Sequence, residues 1–320
     1  MKKQLLLLLI AGACISTTAL AQTDTAAVEK PETNWNKYWK YYFDGGINAN
    51  QAYFSDSWRG GGENSLALGA YIFANIRFQK NNWYWGTHLN TQYGMMKYFK
   101  PGTKLRKTTD MFQLSTKAEY KFAKSWRAFA SARFETQYQP GYTFRTVTPA
   151  DPNEKPYEVI DSKLSNFMAP GYTYQDLGIE FKPVEYFYVN LGLVSLRQTY
   201  VMDTTIALSD NNSDGMPDRY GVDMGKRFRN QFGFSGEMAF DKNLHKNINL
   251  KFKYRFFKDY DFVSPFNMVQ RFDVIFSAKI TKFISTNLTY TMLFDRDQDV
   301  RVQHAQGLTV GFKYVVGTKE

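Results

Sequence analysis

The chain has 320 residues, a formal net charge of +10, 17 % aromatic residues and a mean hydropathy of −0.46. That length allows one large domain or two ordinary ones, and so many aromatics beside so much polarity argue against an ordinary soluble fold. A pI near 9.3 would suggest nucleic acid as a partner, but an export signal and the lack of any basic run argue against it.

Lys2 and Lys3, the apolar run 5–13 and Ala19-Leu20-Ala21 have the pattern of a secretory signal cleaved after Ala21. The apolar run is too short to span a bilayer, and no other stretch reaches the ~20 apolar residues a transmembrane helix needs. Cys14, the sole cysteine, lies inside this signal. A lipoprotein reading would make Cys14 the acylated first residue, but Ala11 stands where a leucine is usual. The expected domain order is a signal peptide at 1–21, a short periplasmic segment at 22–39 and a barrel at 40–320. A segment that short leaves no room for a plug, which excludes an energised, plugged transporter.

Strands are expected at 40–50, 64–78, 83–95, 109–122, 126–138, 168–181, 186–201, 226–240, 247–257, 267–280, 284–295 and 303–316. The evidence is apolar residues at every second position. Phe112, Leu114, Thr116, Ala118, Tyr120 and Phe122 oppose Gln113, Ser115, Lys117, Glu119 and Lys121. Ile248, Leu250, Phe252, Tyr254 and Phe256 oppose Asn249, Lys251, Lys253 and Arg255. In the last strand Leu308, Val310, Phe312, Tyr314 and Val316 alternate with Gly307, Thr309, Gly311 and Lys313. The second strand is less regular, since Tyr71 and Phe73 fall on its wet face.

The connections alternate between short (79–82, 123–125, 182–185, 241–246, 281–283) and mostly long (51–63, 96–108, 139–167, 202–225, 258–266, 296–302). Outer-membrane barrels have tight periplasmic turns and extended outer loops in this order. The expected fold is therefore all-β: a transmembrane, antiparallel, up-and-down barrel of about twelve strands with both termini periplasmic. In lipid an open sheet edge is forbidden, so the last strand is expected to close on the first. The chain runs on through Gly317-Thr318-Lys319-Glu320 rather than ending on an aromatic, which makes its signal to the barrel-assembly machinery less typical. Trp83, Trp85 and Trp126, just after periplasmic turns, read as the inner aromatic girdle.

Three sets of residues could carry chemistry. The loop Asp210-Asn211-Asn212-Ser213-Asp214-Gly215-Met216-Pro217-Asp218 repeats calcium-loop spacing: oxygen ligands on Asp210, Asn212, Asp214 and Asp218, and the Met216 carbonyl. Gly221 stands where a bidentate acid belongs, so the same residues also fit a solvated Asx-rich turn. Of His88, His245 and His304, only His88, on a wet face near Asn90, invites comparison with outer-membrane phospholipases, and no serine follows in the required place. The wet faces carry more bases than acids, and Lys117, Arg133, Lys251, Lys253, Arg255 and Arg271 are the candidate lumen lining. A basic lumen would favour anions; alternatively the same side chains pair across strands and fill a barrel of intermediate bore.

The segment Ser57-Trp58-Arg59-Gly60-Gly61-Gly62-Glu63-Asn64-Ser65 resembles the signature of a family of outer-membrane barrels of unassigned function, and Tyr220-Gly221-Val222 is similar too. The resemblance implies a barrel at the cell surface and brings no activity. The glycines beside Trp58 suggest a tight turn that folds the first loop inward over the mouth. The leading functional expectation is a monomeric, narrow, passive channel for small anionic solutes, neither an enzyme nor a binder of nucleic acid, with outer-membrane lipid as its partner. The alternative is a non-conducting surface barrel whose loops 139–167 and 202–225 bind a partner, with calcium as a stiffener. A membrane-embedded lipid hydrolase is third.

Overall fold

The computed structural model describes residues 37–55, 57, 62–151, 153–209, 217–260, 268–281 and 284–317, the last five as backbone only. The signal at 1–21 with Cys14, Trp58 with Gly60 and Gly61, and Asp210, Asn212, Asp214 and Met216 lie outside these residues. Tyr38–Glu320 forms one compact unit.

The period-2 segments become β1 (Trp39–Ala52), β2 (Ser65–Lys80), β3 (Trp83–Tyr98), β4 (Arg106–Lys121) and β5 (Trp126–Thr136). After β6 (Gly141–Val147) and β7 (Tyr157–Ser165) follow β8 (Gly171–Val184) and β9 (Phe187–Tyr200). Next come β10 (Asp218–Arg219), β11 (Val222–Asp223), β12 (Phe228–His245), β13 (Ile248–Asp259), β14 (Met268–Lys279), β15 (Ile284–Asp295) and β16 (Asp299–Gly317). Twelve of them close a barrel in the order β1-β16-β15-β14-β13-β12-β9-β8-β5-β4-β3-β2. Neighbours are antiparallel throughout, and the seam pairs Tyr42 with Gly317 and Asn48 with Gly311. This seam closes the ring through Gly311–Gly317 of β16, the short-turn half of that strand by chain order, as a wall that leaves no sheet edge unpaired at that level requires.

Local chemistry places the bends and turns. A Cβ on Gly178 would stand 1.9 Å from the Leu191 carbonyl oxygen, and one on Gly233 would stand 2.0 Å from that of Lys258. Both lie where the register shifts, so glycine permits the close approach that bends the wall. Asn81, at φ 54°, supplies the left-handed residue of the two-residue β2–β3 turn. Tyr71 faces Gly46 across the β1–β2 ladder, and its ring covers the site a Cβ would fill. That packing explains an aromatic on the wet face.

Two expectations are corrected. The connection expected at 296–302 shrinks to a turn at 296–298, because β16 extends to Asp299 and runs for 19 residues. The loops expected at 139–167 and 202–225 contain the hairpins β6–β7 and β10–β11, which stand outside the barrel ladder; Asp218 of β10 also bridges to Ser209.

These connections pack together at the long-loop end. The Glu158 N–H donates to the Gly102 carbonyl at 2.9 Å, and the Glu158 carboxylate accepts from the Lys104 N–H, docking β7 on the β3–β4 connection. Ala169, Val201, Ile206 and Val222 form a small apolar core against which Tyr220 packs. Asp203 accepts from Lys163 at 2.5 Å and from Asn166 at 2.7 Å, tying the loop after β7 to the loop after β9. The Tyr220 hydroxyl donates to the Leu164 carbonyl at 2.7 Å, and burial pushes its pKa up to about 12. In the resembling segment, Glu63 pairs with Lys100 at 3.0 Å, and Gly62, at φ 120°, leaves room for the Phe54 ring.

Candidate functional site: the barrel lumen

Alternation gives the wall two unlike faces. The outward face is apolar and exposed, with Ile47, Leu68, Ile76, Phe232, Leu308 and Phe312 among its side chains. Towards the short-turn end it is bordered by aromatic pairs: Trp83 with Tyr120 and Trp126 with Phe181, both at 4.9 Å, and Trp39 with Trp85 at 5.9 Å. Towards the long-loop end the same face turns polar, with hydrogen bonds running from strand to strand. Thr173 donates to Gln198, Gln198 to Asn230, and Tyr254 to Gln270, each at 2.9 Å, while Tyr290 meets His304 at 2.8 Å. On β9 and β12 the apolar stretch runs from Phe187 to Leu196 and from Phe240 to Phe232, close to the 9–11 residues a tilted strand needs to cross hydrocarbon.

The inward face is charged. Contacts between strands that are not ladder neighbours show that side chains reach across the lumen. Arg255 on β13 meets Glu135 on β5 at 3.1 Å, although β12, β9 and β8 stand between them in the wall. Arg197 on β9 meets Asp295 at the end of β15 at 2.5 Å, again passing over three strands.

The candidate residues fall into three groups. Arg133, Arg255 and Arg271 gather round two acids: Arg133 meets Glu135 at 3.0 Å, Arg271 meets Asp273 at 2.9 Å, and Arg255 reaches both. The Arg133 guanidinium also lies 4.2 Å from the centre of the Tyr174 ring, a cation–π contact. Lys117 belongs to a second cluster with Glu119, Glu180 and Arg127, and donates to Asn190 at 3.0 Å. Lys251 and Lys253 stand apart. They meet Asp241 at 3.5 Å and Glu237 at 3.7 Å, longer than the 2.7–2.9 Å usual for charge-assisted bonds, and their side chains stay 37 % and 44 % exposed. Each of the six thus has a carboxylate within ion-pair distance, which weakens the anion-favouring field their number suggests.

Asp218, from the candidate calcium loop, is buried in the β10–β11 hairpin, where its carboxylate accepts the Gly221 N–H at 2.9 Å. Among the described residues no group of three or more His, Cys, Asp or Glu is placed to hold a metal. His88 faces Asn75 across the β2–β3 ladder, with the Phe73 ring 6.4 Å away.

Sequence reasoning missed the constriction at the long-loop mouth. The β15–β16 turn folds inward there. Arg197 holds Asp295 and also meets Asp297 at 3.3 Å, Arg229 meets Asp297 at 3.0 Å, and Gln298 donates to the Tyr172 hydroxyl at 3.1 Å. The alternating acids Asp295, Asp297 and Asp299 were the available signal, but they straddle the end of the strand expected at 284–295 and the connection expected at 296–302.

A model of a family described only as a protein of unknown function (DUF3078) matches residues 49–142, a span that includes the resembling segment. No curated protein matches the chain. Among solved structures, the translocator domain of the autotransporter NalP from Neisseria meningitidis is similar at 11 % identity and a TM-score of 0.37, over 87 % of this chain and 88 % of that one. The NanC porin is similar at 9 % and 0.36, over 87 % and 100 %. An outer membrane channel from Pseudomonas putida F1 is similar at 8 % and 0.39, over 93 % and 100 %. Likeness at this level says nothing about what passes or binds here.

Proposed function

We propose that this chain spans the outer membrane as a monomeric barrel, both termini periplasmic, and serves as a narrow passage for small anionic solutes. The membrane placement is supported by the apolar outer belt, its aromatic border and the closed ladder. The observation that carries the passage is the pair Lys251 and Lys253, which line the lumen yet keep 37 % and 44 % of their side-chain surface accessible. Ammonium groups held in a water-filled bore draw anions in preference to cations. The test is conductance of the refolded barrel in a planar bilayer, with the reversal potential read under a salt gradient. Small discrete steps with anion preference are expected; a correctly folded barrel that never conducts would refute the passage.

A second reading, a non-conducting surface barrel, is favoured by the ion pairs Arg255–Glu135 and Arg197–Asp295 that cross the lumen. In that case the joined outer loops present the working surface, with calcium at Asp210, Asn212, Asp214, Met216 and Asp218 as a stiffener.

A further inference from the structure

The barrel's register sets the lumen-facing side chains in rows, and the rows are unequal. Lys251 stands beside Ile275, which stands beside Thr289 and then Gly307. The next row reads Lys253, Asp273, Thr291 and Ala305. From β13 to β16 both rows shrink from lysine to glycine or alanine. The row above is bulkier, with Arg255, Arg271, Leu293 and Gln303, and Arg255 crosses from it to Glu135. The far wall of β4, β5 and β8 is packed with the Arg127–Glu180 and Lys117–Glu180 pairs.

The lower rows therefore leave space on one side of the lumen, and one side chain records it. Ile275 faces inward with Asp273 yet is 36 % exposed, and the row ends at Ala305, on the stretch of β16 beyond its seam with β1. An apolar side chain that stays this accessible inside a barrel borders solvent-filled volume. Across it, the Phe73 ring lies 5.9 Å from the Lys251 ammonium and limits the width. Asp273 adds little repulsion, because Arg271 at 2.9 Å, Arg255 at 3.5 Å and the Thr291 hydroxyl at 2.9 Å engage its carboxylate.

We infer that this recess is an off-axis chamber that binds a small organic anion, its carboxylate between Lys251 and Lys253 and its apolar part against Ile275. The inference rests on the passage reading above and names where the solute halts and what class it belongs to.

Substituted cysteines test it, with the parent chain as the blank. Ala305→Cys should react with the anionic reagent sulfonatoethyl methanethiosulfonate about tenfold faster than Ser131→Cys on the packed wall, since charge-lined clefts raise local counter-ion concentration by that order or more. At Ala305→Cys the anionic reagent should outpace its trimethylammonium counterpart, and Lys251→Gln with Lys253→Gln should abolish that preference. Millimolar benzoate should slow the labelling of Ala305→Cys only while the two lysines are present. Equal rates at both cysteines, or labelling indifferent to benzoate, would overturn the inference. Labelling needs access but no current, so a barrel that labels in this pattern without conducting keeps the chamber and rejects the passage. A conducting barrel without the pattern does the reverse.

Discussion

The Arg197 guanidinium is wholly buried and holds two aspartates about a hundred residues further along the chain, Asp295 at the end of β15 and Asp297 in the turn after it. The Tyr172 ring, 5.0 Å away, covers one of its faces. Removing one partner of such a buried set leaves charge without compensation, typically at a cost of about 3–5 kcal/mol. Arg197→Met should therefore destabilise the detergent-refolded barrel by about 3–5 kcal/mol, seen as a lower urea midpoint by tryptophan fluorescence. Arg197→Lys, which keeps the charge but loses the forked geometry, should recover only part of the loss. Alternation made the inward side of Lys251, Lys253 and Arg255 legible in the sequence. The Glu135 partner of Arg255 was not, because a contact across the lumen depends on how far each strand is staggered round the ring. Arg197 was harder still: the register slips between Leu177 and Gly178 and between Gly233 and Ser235, on the two strands that flank β9.

Strands and loops differ in how they are held. The barrel strands share one continuous ladder, while the long connections depend on a few polar ties and the small core of Ala169, Val201, Ile206 and Val222. Hydrogen bonds from Lys163, Thr205 and Asn166 hold the Asp203 carboxyl well below the usual carboxylate range. A carboxyl depressed in the folded state contributes stability that is complete above its unfolded pKa, about 4, and is lost as pH falls through the lower folded value. Hydrogen exchange in residues 163–169 and 201–207 should then stay slow from neutral pH down to about 4 and quicken below it. Asp203→Asn should show the fast behaviour already at neutral pH. All twelve barrel strands were legible because a wall with an apolar outer face and a polar inner face imposes period 2 along each strand. The hairpins β6–β7 and β10–β11 were not, since short strands outside the wall carry no such two-sided pattern. The β15–β16 turn misled for another reason: its polar run reads as loop, although its acids face inward to guanidinium groups.

At the scale of the whole molecule, the barrel is assembled from contacts of two kinds. Ladder bonds join neighbouring strands, most of them adjacent in sequence, and can form hairpin by hairpin. The lumen-crossing pairs are different: Arg255 and Glu135 are 120 positions apart and four strands distant round the ring. They meet only when the run β5-β8-β9-β12-β13 has curved into its final wall, so such a pair is expected to form after the ladder bonds that shape that wall. Interactions absent from the transition state slow unfolding and leave the rate of folding alone. Arg255→Gln should therefore leave the refolding rate into lipid vesicles unchanged and speed unfolding about 100-fold, the equivalent of a buried pair worth roughly 3 kcal/mol. The filling of the lumen then acts as a clock: it does little to decide whether the barrel forms, and much to decide how long it lasts once formed.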